Sequence, residues 1–443
     1  MKKVLLVQLP TPQLFSDTDY FPLGLLFLHS FLERNGVPVS LLDLTGCSVD
    51  GVDGDDFDIP QADVYGITCS VVHDGLLRKL AEHIRRRHPD SLIIAGGAHA
   101  MTLPSHVLHT TAVDAVCTGD GEYPLLGIAR GERLRDIPGI LPKGGDAAGA
   151  QPSLVEEIDA LPFPAYHILD TGKYGCVVSY DDVTVRGGTL ITSRGCPFTC
   201  SFCASPAITR RKFRLHGVEY VRETARSVIE EGGYEGLLFV DDILTINKER
   251  LAGICTELKK LHVPWSALAR VDCIDEEMLR MMRSAGCVQL SVGIESASAE
   301  ILRKMRKRIT PDQQAAALLA AHRAGLPVKA CFIVGFPGET ETTIRQTKEF
   351  VKRYVVGLGF YGTFNTFVPL PGSDVFRNPG QYGIEIEQDT PFDDYFIVGA
   401  SGIGGYYQRT NGETVKRWTA ELQELAGPRL TFNKMQGRAA GAQ

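Results

Sequence analysis

The chain has 443 residues, 44% of them hydrophobic and 22% charged, with a formal net charge of −7. That length allows two or three domains with a large core. The negative balance argues against nucleic acid as the main partner, and no stretch approaches the ~18–20 apolar residues of a membrane span. Eleven cysteines, an odd number scattered along the chain, do not read as a disulfide framework and point to a reducing compartment. The opening MKKVLLVQLP is too short an apolar run for a signal peptide and lacks a small-residue cleavage site. A cytoplasmic enzyme is expected.

Strand and helix patterns alternate through residues 1–130. Short apolar runs at 4–9, 37–44, 64–68, 92–95 and 115–118 suit buried strands, and 23–32 and 74–87 carry apolar residues at helical spacing. This alternation predicts a doubly wound parallel sheet, in which ligands lie beyond the carboxyl ends of the strands. Those ends carry Thr68 and Ser70, then Gly96, Gly97 and His99, then Gly119 and Glu122. Glycines there let a backbone approach a large ligand, although taken in isolation they read more simply as tight turns. No G-x-G-x-x-G follows the first strand, so a dinucleotide site is not expected.

Residues 131–186 are rich in Gly, Pro and Asp and read as a linker. Alternation resumes over residues 187–370. Six strands are expected near 190–192, 236–240, 264–269, 288–292, 328–334 and 362–367, with helices at 218–231, 248–261, 275–284, 310–324 and 340–354. Six repeats predict a partial (β/α)6 barrel with its active groups at the carboxyl ends. Residues 371–443 form a shorter cap carrying Tyr382, Tyr395, Tyr406 and Tyr407.

The first barrel strand runs into TSRGCPFTCSFCASP, which places Cys196, Cys200 and Cys203 on one loop. Three soft thiolates hold one face of a metal centre. A structural zinc site or an electron-transfer cluster wants four ligands, so three leave one position open; a zinc knuckle or incidental buried cysteines are the plainer readings. The spacing Cys-x3-Cys-x2-Cys, with Phe202 before the last cysteine, resembles the radical S-adenosylmethionine (SAM) superfamily. The resemblance implies a 4Fe–4S cluster on the three cysteines, with SAM chelated at the open iron and cleaved reductively to a 5′-deoxyadenosyl radical. It also implies a reductase or flavodoxin-type electron donor and a small-molecule substrate.

Other strand ends extend the resemblance. Asp241 and Asp242 stand where many members hold the SAM amino group, although either residue serves equally as a helix cap. Arg270 suits the SAM carboxylate through bidentate contact, or simply pairs with Asp272. Gly293, Glu295 and Ser296 resemble the element near the ribose and methionyl groups. Gly335, followed by Glu339, resembles the adenine-contacting segment, with the Phe202 backbone also against the adenine; Cys331 replaces a glycine often found there. Cys273, Cys287 and Cys331 read as buried small residues, or one as a hydrogen-atom donor. His99 and His216 have no partner at ligand spacing and read as solvated histidines.

PLGLLFLHSFLERNG, GGAHAMTLP and TGDGE in residues 1–130 resemble the cobalamin-binding domain that precedes many radical SAM barrels. The Asp-x-His-x-x-G motif that supplies a cobalt-ligating histidine elsewhere is absent, and most of these relatives bind cobalamin without one. The resemblance implies hydrogen abstraction from an unactivated carbon of an antibiotic or other natural-product intermediate, followed by cobalamin-dependent C-methylation. Its alternatives are cobalamin-independent radical dehydration of a sugar diol and a non-catalytic iron–sulfur or zinc protein.

Overall fold

Five apolar segments at the start of the chain pair into one sheet, and four of them are buried on both faces. A computed structural model describes residues 1–11, 18–47, 57–146, 151–180, 183–386, 392 and 412–427. The first unit runs β1 (Val4–Gln8), α1 (Leu23–Arg34), β2 (Val39–Asp43), β3 (Val64–Thr68), α2 (Asp74–Arg87), β4 (Leu92–Gly96), α3 (Ala98–Thr102), α4 (Pro104–Thr110), β5 (Ala115–Cys117), α5 (Glu122–Arg130) and β6 (Ile140–Pro142). The strand order is β2-β1-β3-β4-β5-β6, with β1 to β5 parallel. The last strand, β6, is antiparallel to β5 and lies in the stretch read as linker.

The second sheet has the order β15-β14-β13-β12-β11-β8-β7. An antiparallel hairpin of β7 (Cys176–Tyr180) and β8 (Val183–Leu190) opens it, and the short strands β9 (Ser193–Arg194) and β10 (Arg214–Leu215) pair with each other beside it. Around β9 and β10 lie α6 (Ser205–Ile208) and α7 (Val218–Arg226). The parallel series continues through β11 (Gly236–Phe239), α8 (Lys248–Leu261), β12 (Trp265–Arg270), α9 (Glu276–Ser284), β13 (Cys287–Glu295), α10 (Ala299–Lys304), α11 (Pro311–Arg323), β14 (Val328–Val334), α12 (Glu341–Phe350) and β15 (Tyr361–Thr366). Six parallel strands thus curl into a half-barrel.

Local chemistry starts the helices. Asn247, Asp275, Thr310 and Thr340 each accept a hydrogen bond from the amide three residues on, satisfying a donor the helix leaves open. In β14 buried and half-buried residues alternate: Ala330, Phe332 and Val334 face the helices, whereas Lys329, Cys331 and Ile333 face inward. After the barrel come α13 (Asp374–Arg377) and α14 (Gly412–Ala426), the latter packed on β15 through Val415, Trp418 and Leu422. Tyr395, Tyr406 and Tyr407 lie outside the described residues.

Helix α1 joins the two units. Leu23 and Leu26 belong to the core that includes Leu190, Phe239 and Trp265 of the barrel, whereas Leu25, Phe31 and Leu32 pack with Val4 and Leu6 of the first sheet. A helix buried on opposite faces must be apolar nearly all round. The cysteine loop is thereby held over the carboxyl ends of the first sheet.

Candidate functional site

The cysteine loop leaves β9 through Gly195, whose φ is +94°. A Cβ there would lie 2.3 Å from the Lys212 carbonyl oxygen, so glycine is required both for the turn and for the close approach. Cys200 is buried, and Cys196 and Cys203 are half-buried. The loop is tied down on two sides. Ser201 donates through its amide to the Met305 carbonyl at 2.9 Å and through Oγ to that of Lys304 at 3.1 Å, while its own carbonyl accepts from the Val375 amide.

Burial raises the Cys196 thiol and pushes the Cys203 thiol up to about 12. A bound cation reverses that preference, because coordination deprotonates a thiol outright. Among the described residues, the three sulfurs do not converge within 4.8 Å of one another. Three soft thiolates on one loop, with one position left open, suit an iron–sulfur centre.

Arg270 reinforces this donor set from the end of β12. Its Nη1 donates to Cys200 Sγ at 3.3 Å, and its guanidinium lies 3.7 Å from the Phe198 ring centroid. Nε and Nη2 grip Asp272 at 3.0 and 3.1 Å, and Nη2 also donates to the Lys307 carbonyl. The fork expected to face a carboxylate ligand is already engaged by Asp272, so Arg270 acts first on the loop.

The acidic pair divides. Asp241 is wholly buried and accepts from the Thr192 amide and Oγ1 at 3.0 and 2.9 Å and from Ser193 Oγ. It ties β11 to the β8–β9 junction and does not reach the open site, contrary to its expected ligand role. Asp242 is exposed, bonds Ser205 Oγ at 2.6 Å, and lies beside Cys196 and Cys203.

Glu295 ends β13 in the left-handed region at φ +64° and pairs with Lys307, Nζ to Oε1 2.5 Å. A Cβ on Gly293 would meet that pair at 2.4 and 2.8 Å. The Lys307 ammonium also sits 5.9 Å from the Phe202 ring centroid, so Phe202, Gly293 and Glu295 share one corner of the mouth. Ser296 is fully buried and accepts from the Ser298 amide, which makes it a turn residue. At the end of β14, Glu339 accepts from the Gly335 amide at 2.5 Å and closes the loop; burial raises its carboxyl to about 7. Cys287 is buried as expected, but Cys273 and Cys331 are only half-buried.

Beyond the loop lies a cavity of about 340 Å³ between the two units, lined by Thr68, Gly96, Gly97, Gly119 and Glu122 together with Leu6 and Leu125. Gly97 has φ +89°, and a Cβ there would lie 2.7 Å from the Cys69 carbonyl; one on Gly119 would lie 2.1 Å from that of Ser153. Ser70 and His99 line a neighbouring cavity of about 390 Å³, which Ala204 and Ile208 close from the cysteine-loop side.

Sequence reasoning missed the charges that lock the units together. Arg194 pairs with Glu122 at 2.7 Å and Asp120 at 3.2 Å, and lies 5.0 Å from the Phe27 ring centroid. Arg214, its β-sheet partner, pairs with Asp120 and donates to the Val155 carbonyl at 2.7 Å. Arg194 stands two residues before Cys196, so its position in the motif was the available signal; Arg214 offered none. Glu122 Oε2 and Arg214 Nε are buried on the cavity wall without a hydrogen-bond partner. Orphaned polar atoms and a glycine-lined cradle fit a large ligand bearing both donors and acceptors.

Both histidines read as solvated are buried. His99, 1% exposed, bonds Asp74 at 2.7 Å. His216, 0% exposed, bonds Asp159 at 2.9 Å and stacks on Tyr220 with ring centroids 3.9 Å apart; burial pushes its pKa down to about 4. Their partners are distant in sequence and could not be read from local spacing.

Residues 190–351 match the Radical SAM superfamily and residues 16–129 match the B12 binding domain. An uncharacterized methyltransferase of Pyrococcus horikoshii is 32% identical, covering 85% of this chain and 82% of that protein. The cytidylyl-2-hydroxyethylphosphonate methyltransferase of Streptomyces wedmorensis is 27% identical over 95% of this chain and 87% of that one. The solved radical SAM methyltransferase TsrM from Kitasatospora setae, with tryptophan and a SAM analogue bound, superposes with a TM-score of 0.67 at 18% identity, covering 87% of this chain and 78% of that one. The cobalamin-dependent enzyme OxsB with aqua-cobalamin bound superposes equally well (TM-score 0.67, 19% identity); 86% of this chain spans 56% of its length. At these identities the two structures attest the fold.

Proposed function

This chain belongs to the cobalamin-binding radical SAM enzymes, whose cofactors are a 4Fe–4S cluster, SAM and cobalamin, and from that premise we propose that it methylates an unactivated carbon of a natural-product intermediate, such as an antibiotic precursor. When bound, the cofactors supply a radical-generating electron transfer and a transferable methyl group. One observation carries the reading: Arg194, two residues from the first cysteine, is held by Glu122 in the wall of the interdomain cavity. The two cofactor sites therefore face one interface, where a small substrate can meet both.

Each part of the chain has a task in this scheme. Cys196, Cys200 and Cys203 hold the cluster, and Arg270 steadies the Cys200 thiolate. Asp242 would accept from the SAM amino group and Glu295 from its ribose hydroxyls, and the Phe202 and Gly335 backbones would border its adenine. Thr68, Gly96, Gly97 and Gly119 let cobalamin approach the first sheet, with Glu122 and Arg214 meeting its polar groups. Packing of the first unit against the half-barrel excludes water from the reacting carbon. The substrate is a small molecule, as it is for the Streptomyces relative named for a cytidylyl phosphonate, and a reductase or flavodoxin-type donor supplies the electron.

The test is anaerobic reconstitution with iron, sulfide, cobalamin, SAM and a low-potential reductant, with chromatography of the SAM products. Both 5′-deoxyadenosine and S-adenosylhomocysteine are expected. 5′-Deoxyadenosine without S-adenosylhomocysteine would count against methyl transfer, and neither product from an intact cluster would overturn the proposal.

A further inference from the structure

Outside the cofactor sites, three ligand-type side chains converge in the first unit. Asp74 opens α2, His99 lies in α3 and His106 in α4. Asp74 Oδ1 is 2.7 Å from His99 Nε2 and 2.8 Å from His106 Nε2, and the three atoms lie within 4.8 Å of one another. These separations are close to those of neighbouring ligands on one first-row ion, because two bonds of ~2.0–2.1 Å at octahedral or tetrahedral angles span roughly 2.8–3.4 Å. We propose that Asp74, His99 and His106 bind a zinc ion whose fourth position is left to water, and that this ion pins α2 to α3 and α4.

The surroundings suit that ion. The Asp74 and His99 side chains are only 5% and 0% exposed, which orders two ligands before binding, whereas the His106 side chain is 30% exposed and leaves a path for the ion and a water as fourth ligand. Phe392 sets its ring edge-on to both imidazoles, with centroids 5.4 and 4.9 Å away, and shields one side. One carboxylate oxygen and two imidazole nitrogens make a donor set of the kind zinc accepts. Arg78 is the opposing charge nearby. Its Nη2 is 3.4 Å from Asp74 Oδ2, a long contact on a side chain 48% exposed, and it can turn into water when a cation arrives.

Position explains what the ion would do. Helix α3 begins one residue after Gly97 and contributes Met101 to the wall of the interdomain cavity. Fixing α3 to α2 would fix that wall, making zinc a brace for the first sheet rather than a participant in the reaction. A chain bridging two imidazoles through one carboxylate needs no metal to be stable, so the experiment must count the ion.

The holoenzyme, with its cluster intact, is equilibrated with zinc, desalted and analysed for metal and for its zinc X-ray absorption. One zinc per chain is expected, with a nitrogen/oxygen first shell at about 2.0–2.1 Å and no sulfur at ~2.3 Å. His106→Ala, at the half-exposed ligand, should lower zinc content at least fivefold while leaving the iron count unchanged. Absence of zinc, a sulfur shell, or full zinc in His106→Ala would each overturn the proposal. The iron count and SAM cleavage, read in the same samples, keep this result separate from that of the methyl-transfer assay.

Discussion

Glu339 shows how one buried carboxyl links loop geometry to pH. It accepts from the Gly335 amide behind β14, and burial raises its folded pKa to about 7, above the usual carboxylate value. The folded state therefore holds this proton more tightly than the unfolded chain does. Its contribution is fully present below about pH 4.5 and is lost as pH rises through 7. His216 works in the opposite sense: burial depresses it to about 4, so its contribution is full above roughly pH 6.5 and declines toward pH 4. Between those limits the two slopes oppose each other. Glu339→Gln should remove the first, and the stability of the wild type relative to this variant should fall between pH 5 and 7.5 in denaturant titrations. A pH-independent difference would show that Glu339 does not titrate in that window.

At the scale of elements, the cysteine loop depends on supports well separated in sequence. β9 and β10 bracket it, Ser201 bonds the end of α10, and Arg270 reaches Cys200 from β12. Gly195 is the tightest point, because any side chain would press on the Lys212 carbonyl and on Thr209. Gly195→Ala should leave the half-barrel folded, since the sheet of β8 and β11 to β15 does not include that turn. It should reduce iron incorporation by more than half, measured as iron per chain and as the visible absorbance of the reconstituted protein. Unchanged iron content would mean that the loop relaxes around the methyl group.

The whole molecule turns on the charged contact between its two units. Arg194 with Glu122, and Arg214 with Asp120, are largely buried where the half-barrel meets the first sheet. Removing one partner leaves an uncompensated charge, which costs about 3–5 kcal/mol in comparable buried pairs. A double-mutant cycle of Arg194→Met and Glu122→Gln should give a coupling energy of about 1–3 kcal/mol. Both single variants should also release cobalamin more readily during desalting. Additive effects in the cycle would assign the contact to packing rather than to paired charge.

Much of this organisation was readable locally. Alternating apolar runs and helix caps such as Thr310 and Asp275 depend on neighbours within a few residues, and so located the expected strands and most helices. The cysteine spacing likewise concentrates its chemistry in one loop. The short strands β6, β7, β9 and β10 lack that periodicity because pairing, rather than amphipathic pattern, defines them. Side-chain roles depended on the fold still more. The adjacent residues Asp241 and Asp242 point into different environments, and His99 finds Asp74 25 residues away. Sequence alone determined the residue types and local periods from which the two α/β units and the thiolate loop arise. Tertiary structure decided which polar groups face a cavity and which neutralise one another, because burial and ion pairing are settled by what the rest of the chain brings within a few ångströms.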